Sequence, residues 1–518
     1  MNSAGRRLGW RAREALRFAI CAGAIAAAAA ACGAASPVRD DVHRDDWYEL
    51  QSSHIKLTTD LPVDRALQHI RELEQSWRAL TAMYVLIAPW ATPPDGQFPV
   101  MHLSSCSEYR KIAPPNSIGF VSSSLEFPGE HMVVTCDYEP WNREILLHEF
   151  AHVLNYRCFP LSPVWVTEGL ATYFESMEVV DGRAFIGKVP TGKAHLWRRP
   201  DWGPKLPELL ALDYHEFHGD QNERNYFAAW KLVHMLNNTS PDYQNRFRGF
   251  LAMLNGQRER KNVWELAFHG IPPKRLADEY RVYQLRSEVR LWTTSYQLED
   301  PPAASVRRLR AGEARAVWAH LVSRTNPDEA LRQLDLAAQA DPEWPDVFYW
   351  RALLLPWVKQ PGANEQAAAA LREYRTRRPD DVRGWHALLS MELGRVVPAG
   401  HLGVEDTTPA GLEDLEWIAK GLMEHAMRPS DLNLAAWYYA MSRRAEAGLP
   451  LAIQSVQRDP GCADCWDTLA LLYFQNGDAA RALLAQERAA NMQGDGRIGR
   501  GVQARLQRYR VAASVGAQ

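Results

Sequence analysis

Two histidines and a glutamate in one short segment carry the clearest chemical signal of this chain. They stand in the order His148-Glu149-x-x-His152 within its 518 residues. On a helix, residues four positions apart share one face, so both imidazoles come within reach of a single metal ion. A catalytic zinc ion usually has three protein ligands and one position open to water, so this pair requires one further donor.

Glu168 is the candidate for that donor because of the residues around it. It is the only charged residue from Leu161 to Phe174, in a segment that begins like a helix, with Ser162 as N-cap and Pro163 in the first turn. A carboxylate among apolar side chains is costly to bury unless a cation neutralises it, and a divalent metal does so. The sequence therefore predicts one Zn²⁺ per chain, bound by the two histidines and Glu168.

At these motifs the chain resembles the gluzincins, the zinc peptidases of the thermolysin and neutral-aminopeptidase type, and especially the peptidase-MA-like domains of bacterial proteins. The matching residues are His148-Glu149-x-x-His152 and Trp165-x-x-Glu168-Gly169-x-Ala171. The resemblance covers residues 46–290 and implies an α+β domain with a mixed sheet and zinc-binding helices. It also makes His148, His152 and Glu168 the ligands. Glu149 then becomes the general base.

The same resemblance implies a donor for the oxyanion of the tetrahedral intermediate. In related peptidases a Tyr or His downstream of the ligands has this role, and Tyr226 is the candidate here; a core tyrosine is the alternative. His215 and His218 share one helical face, but no third donor accompanies them. We therefore interpret both as exposed histidines that precede the turn at residues 219–222.

The chain departs from the family pattern in ways that leave alternatives open. Thr172 stands one turn after Glu168, where the thermolysin-like pattern has an aspartate. No Gly-x-Met-x-Asn element precedes the first motif, and neutral aminopeptidases hold the substrate's amino terminus with it. The choice between endopeptidase and exopeptidase therefore stays open. Two further alternatives remain. The histidines could simply be buried in a core helix, or the domain could bind a metal without catalysing a reaction.

The elements that must position these residues follow from the apolar periodicity. Residues 47–59 indicate a strand or hairpin, and Val63 to Leu86 has apolar residues at helical spacing. Residues 98–103, 118–122 and 132–136 indicate three short strands. The last is either an edge that pairs with an extended peptide or a core strand. Together they predict a mixed sheet that leads into the zinc helix.

The amino terminus, residues 1–31, has the pattern of a signal peptide. Five arginines precede an apolar stretch, residues 18–31, that is too short to span a bilayer comfortably. Cys32 follows three alanines and precedes Gly33, which resembles a bacterial lipobox, so we expect Cys32 to be lipidated. Ordinary cleavage at an Ala-x-Ala site is the alternative. We expect an exported, periplasm-facing outer-membrane lipoprotein of the bacterial cell envelope, with residues 32–45 as a linker.

The composition is that of a globular protein, with 46% hydrophobic and 23% charged residues. A formal net charge of −3 gives no sign of nucleic-acid binding. Cys106 and Cys136 could form a disulfide, although pairing cannot be read from sequence. Cys462-x-x-Cys465 could be a redox or metal pair. Without a second such pair or a strand-turn-helix context, we interpret it as structural or incidental.

The carboxyl-terminal half changes character after a linker at residues 291–310. Small and aromatic residues then recur, and Leu432 and Trp466 are one example of corresponding positions. The pattern in residues 311–494 resembles tetratricopeptide repeats, an all-α solenoid whose groove binds other proteins. Residues 495–518 follow as a helix or tail.

These observations predict a zinc metallopeptidase that is anchored by a lipid, acts on a peptide or protein and binds a protein partner in the repeat groove. Glu149 takes a proton from the water that zinc activates and delivers it to the leaving amine. The alternative is a catalytically silent zinc domain whose repeats form a scaffold in envelope assembly.

Overall fold

The chain divides into two compact units after Arg310. The computed structural model describes residues 46–90, 97–113, 117, 119–123, 131–137, 142–159, 162–191, 203–254, 263–286, 289–323, 325–358, 360–398, 401–403, 408–426, 428–492 and 500–515. The predicted signal peptide, the linker at 32–45 and the lipidation site Cys32 lie outside the described residues. Among the helices that are described, none is both long and apolar enough to cross a membrane.

Strands of the first unit form two sheets. In the described residues they are β1 (Tyr48–Gln51), β2 (Ile55–Thr59), β3 (Phe98–Leu103), β4 (Gly119–Ser123), β5 (His131–Cys136), β6 (Glu178–Val180), β7 (Arg183–Ile186), β8 (Trp292–Ser295) and β9 (Ser305–Arg308). The larger sheet has the order β4-β5-β3-β2-β1-β9, and β6-β7-β8 form the smaller one. In the larger sheet β2, β3 and β5 are parallel, whereas β1, β4 and β9 pair antiparallel. The mixed sheet is therefore present.

The position of β5 decides between the two interpretations of residues 132–136. It lies between β3 and β4, and Met132 to Cys136 are buried. It is thus a core strand. The edge of the described sheet on this side is β4, where Val121 is opposite Val133.

Helices of the first unit lie between and after these strands. They are α1 (Val63–Ile87), α2 (Cys106–Ile112), α3 (Asn142–Cys158), α4 (Val164–Glu175), α5 (Leu206–Ala211), α6 (Tyr214–Phe217), α7 (Asn222–Asn238), α8 (Pro241–Met253), α9 (Val263–Ala267) and α10 (Pro273–Gln284). The predicted periodicity of α1 is realised: its apolar stripe is buried, and Trp77 stacks on Phe98 of β3 at 5.6 Å and meets Phe150 of α3 edge-on at 5.4 Å. The core therefore ties α3 to the sheet.

Close packing of α4 on α7 explains the glycine that follows Glu168. A Cβ atom on Gly169 would lie 2.7 Å from Val233 Cγ2 and 2.9 Å from the Ala229 carbonyl oxygen. Only a residue without a side chain allows this approach of the two helices. The motif glycine thus fixes the depth at which its neighbour Glu168 lies.

Residues 291–310 were expected to form a linker, but they contribute a strand to each of the two sheets. This segment contains β8, which pairs with β7, and β9, which pairs with β1. The Leu309 amide also donates a hydrogen bond to the Trp47 carbonyl at 2.8 Å. The Pro301-Pro302 dipeptide lies between β8 and β9 and so belongs to the connection of two short strands.

A disulfide joins Cys106, at the start of α2, to Cys136, at the end of β5. It is the pair that the sequence left open. Cys158, the last residue of α3, is buried and does not take part in a disulfide within the described residues.

Helices alone form the described secondary structure of the second unit, apart from two short 3₁₀ turns. They are α11 (Ala311–Val322), α12 (Pro327–Ala340), α13 (Asp346–Leu354), α14 (Ala363–Arg377), α15 (Val382–Val396), α16 (Glu416–His425), α17 (Pro429–Met441), α18 (Ala445–Arg458), α19 (Ala463–Gln475), α20 (Ala479–Met492) and α21 (Arg500–Val515). Consecutive helices pack against each other. A Cβ on Gly448 would lie 2.8 Å from Leu472 and 3.0 Å from Tyr439, so small residues do allow close helix packing. The unit begins at Ala311, where the repeats were expected to begin.

Candidate metal centre

Four of the predicted residues meet where α3 packs on α4. His148, Glu149 and His152 lie on α3, and Glu168 lies on α4. The Nε2 atoms of His148 and His152 are 3.1 Å apart. Glu168 Oε2 lies 3.6 Å from the first of these nitrogens and 3.4 Å from the second. In the described residues this is the group of histidine and carboxylate side chains that could hold a metal ion.

The spacing of these three donors fits a tetrahedral ion. Ligand atoms at the usual zinc distances of roughly 2.0–2.2 Å are about 3.3–3.6 Å apart when arranged tetrahedrally. The donor atoms here lie within 4.8 Å of one another, and the three contacts between them span 3.1–3.6 Å. Two imidazoles and one carboxylate are also a ligand set of catalytic zinc sites. The residues present therefore fit a zinc ion with one coordination position left for solvent or substrate.

A hydrogen-bonded bridge holds the two ligand-bearing helices in register. Asn155, three residues after His152, donates from Nδ2 to the Thr167 carbonyl oxygen at 2.9 Å. Its Oδ1 accepts the Tyr84 hydroxyl of α1 at 3.0 Å. Because Thr167 adjoins Glu168, this bridge fixes the distance between the histidines and the carboxylate. No sequence motif pointed to it, since its members are distant in sequence.

Glu175 orients the first histidine. Its Oε2 lies 2.7 Å from His148 Nδ1, so the proton of the neutral imidazole is on Nδ1 and the lone pair of Nε2 faces the other ligands. Glu175 was missed, although it stands two helical turns after Glu168 and so on the same face of α4. Thr172, where the thermolysin-like pattern has an aspartate, is buried, and its hydroxyl makes no hydrogen bond within the described residues. Glu175, one turn after Thr172, provides a carboxylate next to His148.

Charges within the cluster shift the pKa values of its members. Burial lowers the pKa of His148, but hydrogen bonds with Glu168 and Glu175 outweigh burial and raise it to about 10. Burial raises the pKa of Glu168, but the neighbouring His152 and His148 hold it well below its usual range. Without a metal the site therefore attracts positive charge, as protons on imidazole. A cation can take the place of these protons.

Glu149 lies between the two histidines in the chain and is not one of the three candidate ligands. It is 1% exposed, and its Oε2 makes no hydrogen bond within the described residues. Burial raises the pKa of this carboxyl to about 6, although the two histidines oppose the shift. A Cβ on Gly119, the first residue of β4, would lie 3.3 Å from Glu149 Oε1. Glu149 thus lies directly beneath the edge strand, with a carboxylate available for proton transfer.

His218 belongs to the site, which corrects its interpretation as an exposed histidine. Its side chain is 5% exposed, and its Nε2 lies 3.5 Å from Glu168 Oε1. Burial lowers the pKa of His218, which favours the neutral ring. His215, by contrast, is exposed. The two were expected to behave alike, but α6 ends at Phe217 and the turn that follows directs His218 inward.

Tyr226 lies behind His218, on α7. Its hydroxyl is 3.3 Å from His218 Nδ1, and its ring centre is 6.2 Å from that of His148. When Tyr226 donates its proton to Nδ1, the ring proton of His218 is on Nε2, the atom that faces Glu168. The geometry thus links the predicted Tyr226 to a residue that the motif analysis set aside.

Comparison with known proteins places this site inside a family region. Residues 145–261 match a family model described as a protein of unknown function, DUF1570. That region includes all three candidate ligands as well as Glu149, Glu175, His218 and Tyr226. No curated protein sequence matches the chain.

Two solved structures are similar to parts of this chain. One is a thermophilic TPR protein from Thermus thermophilus, at 17% identity and a TM-score of 0.29, covering 39% of this chain and 99% of that one. The other is the TPR domain of P58(IPK), at 12% identity and a TM-score of 0.22, covering 72% of this chain and 95% of that one.

Proposed function

We propose that this protein is a zinc-dependent peptidase of the gluzincin type. The observation that carries the proposal is the convergence of three donors on one point, with His148 Nε2, His152 Nε2 and Glu168 Oε2 all within 4.8 Å. The carboxylate of Glu149 lies beside this point and has an oxygen without a hydrogen bond in the described residues. Ligands alone would suit a structural ion; the additional buried acid suits catalysis.

The roles of the remaining residues follow from where their polar atoms lie. A zinc ion held here would act as a Lewis acid on the scissile carbonyl and would acidify a water molecule. Glu149 would accept the proton of that water and pass it to the nitrogen of the leaving amine. His218 would donate a hydrogen bond from Nε2 to the oxyanion, and Tyr226 would hold the ring of His218 in position.

An extended peptide is the substrate that suits the surroundings of Glu149. The edge strand β4 can pair with an added strand through its backbone, a common way to bind peptides. Gly119 has no side chain to shield the Glu149 carboxylate from a peptide on β4. A carbonyl of a paired peptide would therefore pass close to the general base.

The test compares Glu149→Gln with wild type. The substitution keeps the shape of the side chain and removes the base, so zinc content should stay at one ion per chain while peptide hydrolysis falls at least roughly hundredfold. Metal analysis and cleavage of a peptide library measure the two. As a matched control, His148→Ala and Glu168→Ala should lose both zinc and activity.

The outcomes separate the peptidase from the silent scaffold. Full zinc content in His148→Ala or Glu168→Ala would mean that the ligands are assigned wrongly. Zinc loss in those variants, with no hydrolysis by wild type, would favour a metal domain without catalysis. In either case the second unit is proposed to bind a protein partner, as helical arrays commonly do. Export and a lipid anchor at Cys32 remain part of the proposal.

A further inference from the structure

The second disulfide of the chain, Cys462–Cys465, has the arrangement of a reactive pair. Cys462 is the N-cap of α19 and is partly exposed, whereas Cys465, one turn into the helix, is 0% exposed. Cys462 is thus the more accessible residue of the pair. We expect an incoming thiol to approach the Cys462 sulfur.

The helix start stabilises a thiolate at the accessible position. The Cys465 amide donates a hydrogen bond to Cys462 Sγ at 3.1 Å. The first turn of a helix also carries partial positive charge, which favours an anionic sulfur. Asp464, in the same turn, opposes this effect with its negative charge.

The surrounding backbone does not depend on the sulfur–sulfur bond. Upstream, the Cys462 amide donates to the Asp459 carbonyl, and the Gly461 amide donates to Asp459 Oδ1. Trp466 Nε1 donates to the Pro460 carbonyl at 3.0 Å. These bonds fix the loop and the first turn without the disulfide. A bond between residues three apart also closes a short loop, so it removes little entropy from the unfolded chain.

The other disulfide also joins a partly exposed cysteine, Cys106, to a buried one, but it differs in loop length. Cys106–Cys136 closes a loop of 30 residues and joins α2 to β5, and Cys136 is buried within the sheet. Its loop length is typical of a bond that stabilises the fold. The chain therefore contains one disulfide suited to stability and one suited to reaction.

We propose that Cys462 and Cys465 form a redox-active pair that exchanges with external thiols through Cys462. The thiolate of an incoming thiol attacks Cys462 Sγ, the Cys462–Cys465 bond breaks, and Cys465 leaves as a thiolate that takes up a proton. A second thiol then attacks the sulfur of the bound partner, which releases Cys462. Two thiols become one disulfide, and the pair gains two electrons and two protons. The proposal is independent of the metal centre.

The experiment uses the full oxidised chain and reduced glutathione as the probe. Samples are quenched by alkylation, and peptide mass spectrometry measures the reduction of each disulfide in the same molecule. Cys462–Cys465 should open at least tenfold faster than Cys106–Cys136, and oxidised glutathione should restore it. Equal rates, or failure of the pair to open before the fold is lost, would overturn the proposal.

Single-cysteine variants identify the reacting sulfur. Incubated with oxidised glutathione, Cys465→Ser should accumulate a mixed disulfide on Cys462 with release of one reduced glutathione, because the resolving thiol is gone. Cys462→Ser should form at least tenfold less adduct on the buried Cys465. Equal adducts in the two variants would contradict the assigned direction of attack. Circular dichroism checks that both variants are folded, and the wild-type comparison does not depend on them.

Asp464→Asn provides a graded test of the electrostatics. Removing the negative charge from the first turn should increase the thiolate fraction of reduced Cys462 and so speed its alkylation near neutral pH. A slower reaction in this variant would show that the helix start does not control Cys462.

Discussion

At the scale of single residues, Glu175 determines which nitrogen of His148 is available to a ligand. We expect Glu175→Ala to weaken zinc binding by about 10–100-fold, since carboxylates that orient metal-binding histidines have effects of this size. Glu175→Gln should lie between the alanine variant and wild type, because its amide oxygen can still accept the Nδ1 proton. Zinc competition with a chelator measures the affinity.

Glu178→Ala is the matched control for this prediction. Glu178 lies three residues further along and is 44% exposed, where it contacts Lys188. Its loss should leave zinc affinity unchanged. Equal affinities for Glu175→Ala and wild type would show that His148 needs no orienting partner.

His218 and His215 offer a second comparison at this scale. If His218 donates to the oxyanion, His218→Ala should lower peptide turnover by about 10²–10³-fold, the usual effect of losing such a donor, with zinc retained. His215→Ala, at an exposed position on the same turn, should have wild-type turnover. Turnover numbers and zinc content from one preparation decide the matter. Loss of zinc from His218→Ala would instead make His218 a ligand.

The sequence analysis identified site residues that are close together in the chain. It missed residues that reach the site only through the packing of separate helices. His148, His152 and Glu149 lie within one helical turn or so, and helical geometry alone brings them together. Glu175 and His218 contact the site only because α4 and α6 pack where they do. A His or Glu without a nearby partner gives no signal of that kind in one sequence.

At the scale of elements, a buried histidine pair makes the packing of α1 on β3 sensitive to acid. His69 of α1 is 8% exposed, with its ring centre 4.1 Å from that of His102 on β3. Burial lowers the pKa of His69 to about 4; nearby Asp137 opposes this shift, and Arg65 adds to it. The folded chain therefore keeps His69 neutral at a pH where the unfolded chain protonates it.

This difference predicts a loss of stability as pH falls. The unfolded state binds the proton below about pH 6.5, so the free energy of unfolding should fall from there toward pH 4, by up to roughly 1.4 kcal/mol per pH unit for one such group. His69→Gln should show a shallower loss in thermal melts over this range. Leu67→Gln, a nearby non-titrating position that is 37% exposed, should follow wild type. Parallel profiles for all three proteins would refute the prediction.

Elements with a clear period were predicted well, and the order of the strands was not. The stripe of α1 and the hairpin of β1 and β2 are encoded in neighbouring residues. The edge position of β4 depends on which strands pair, and β9 joins the sheet from more than 160 residues away. Local patterns cannot specify such pairings.

At the scale of the whole molecule, the true end of the first unit can be tested by truncation. A fragment of residues 46–310 should fold and bind zinc, because every residue of the metal centre lies within it. A fragment of residues 46–290 lacks β8 and β9, which leaves β1 paired only with β2 and β7 paired only with β6, and it also loses the Leu309–Trp47 backbone hydrogen bond. It should melt at a clearly lower temperature or fail to fold. Equal melting temperatures would mean that residues 291–310 are a linker after all.

The two edge strands of the larger sheet, β4 and β9, also differ in how readily another strand could pair with them. All of β9 is exposed, and it carries Arg307 and Arg308, whereas β4 reads Gly-Phe-Val-Ser-Ser and has no charge. Charged side chains discourage the addition of a foreign strand, and neutral ones do not. Preparations of the isolated first unit should therefore self-associate through β4 at high concentration. An arginine placed on β4 to improve solubility would then also block access for any peptide that binds there.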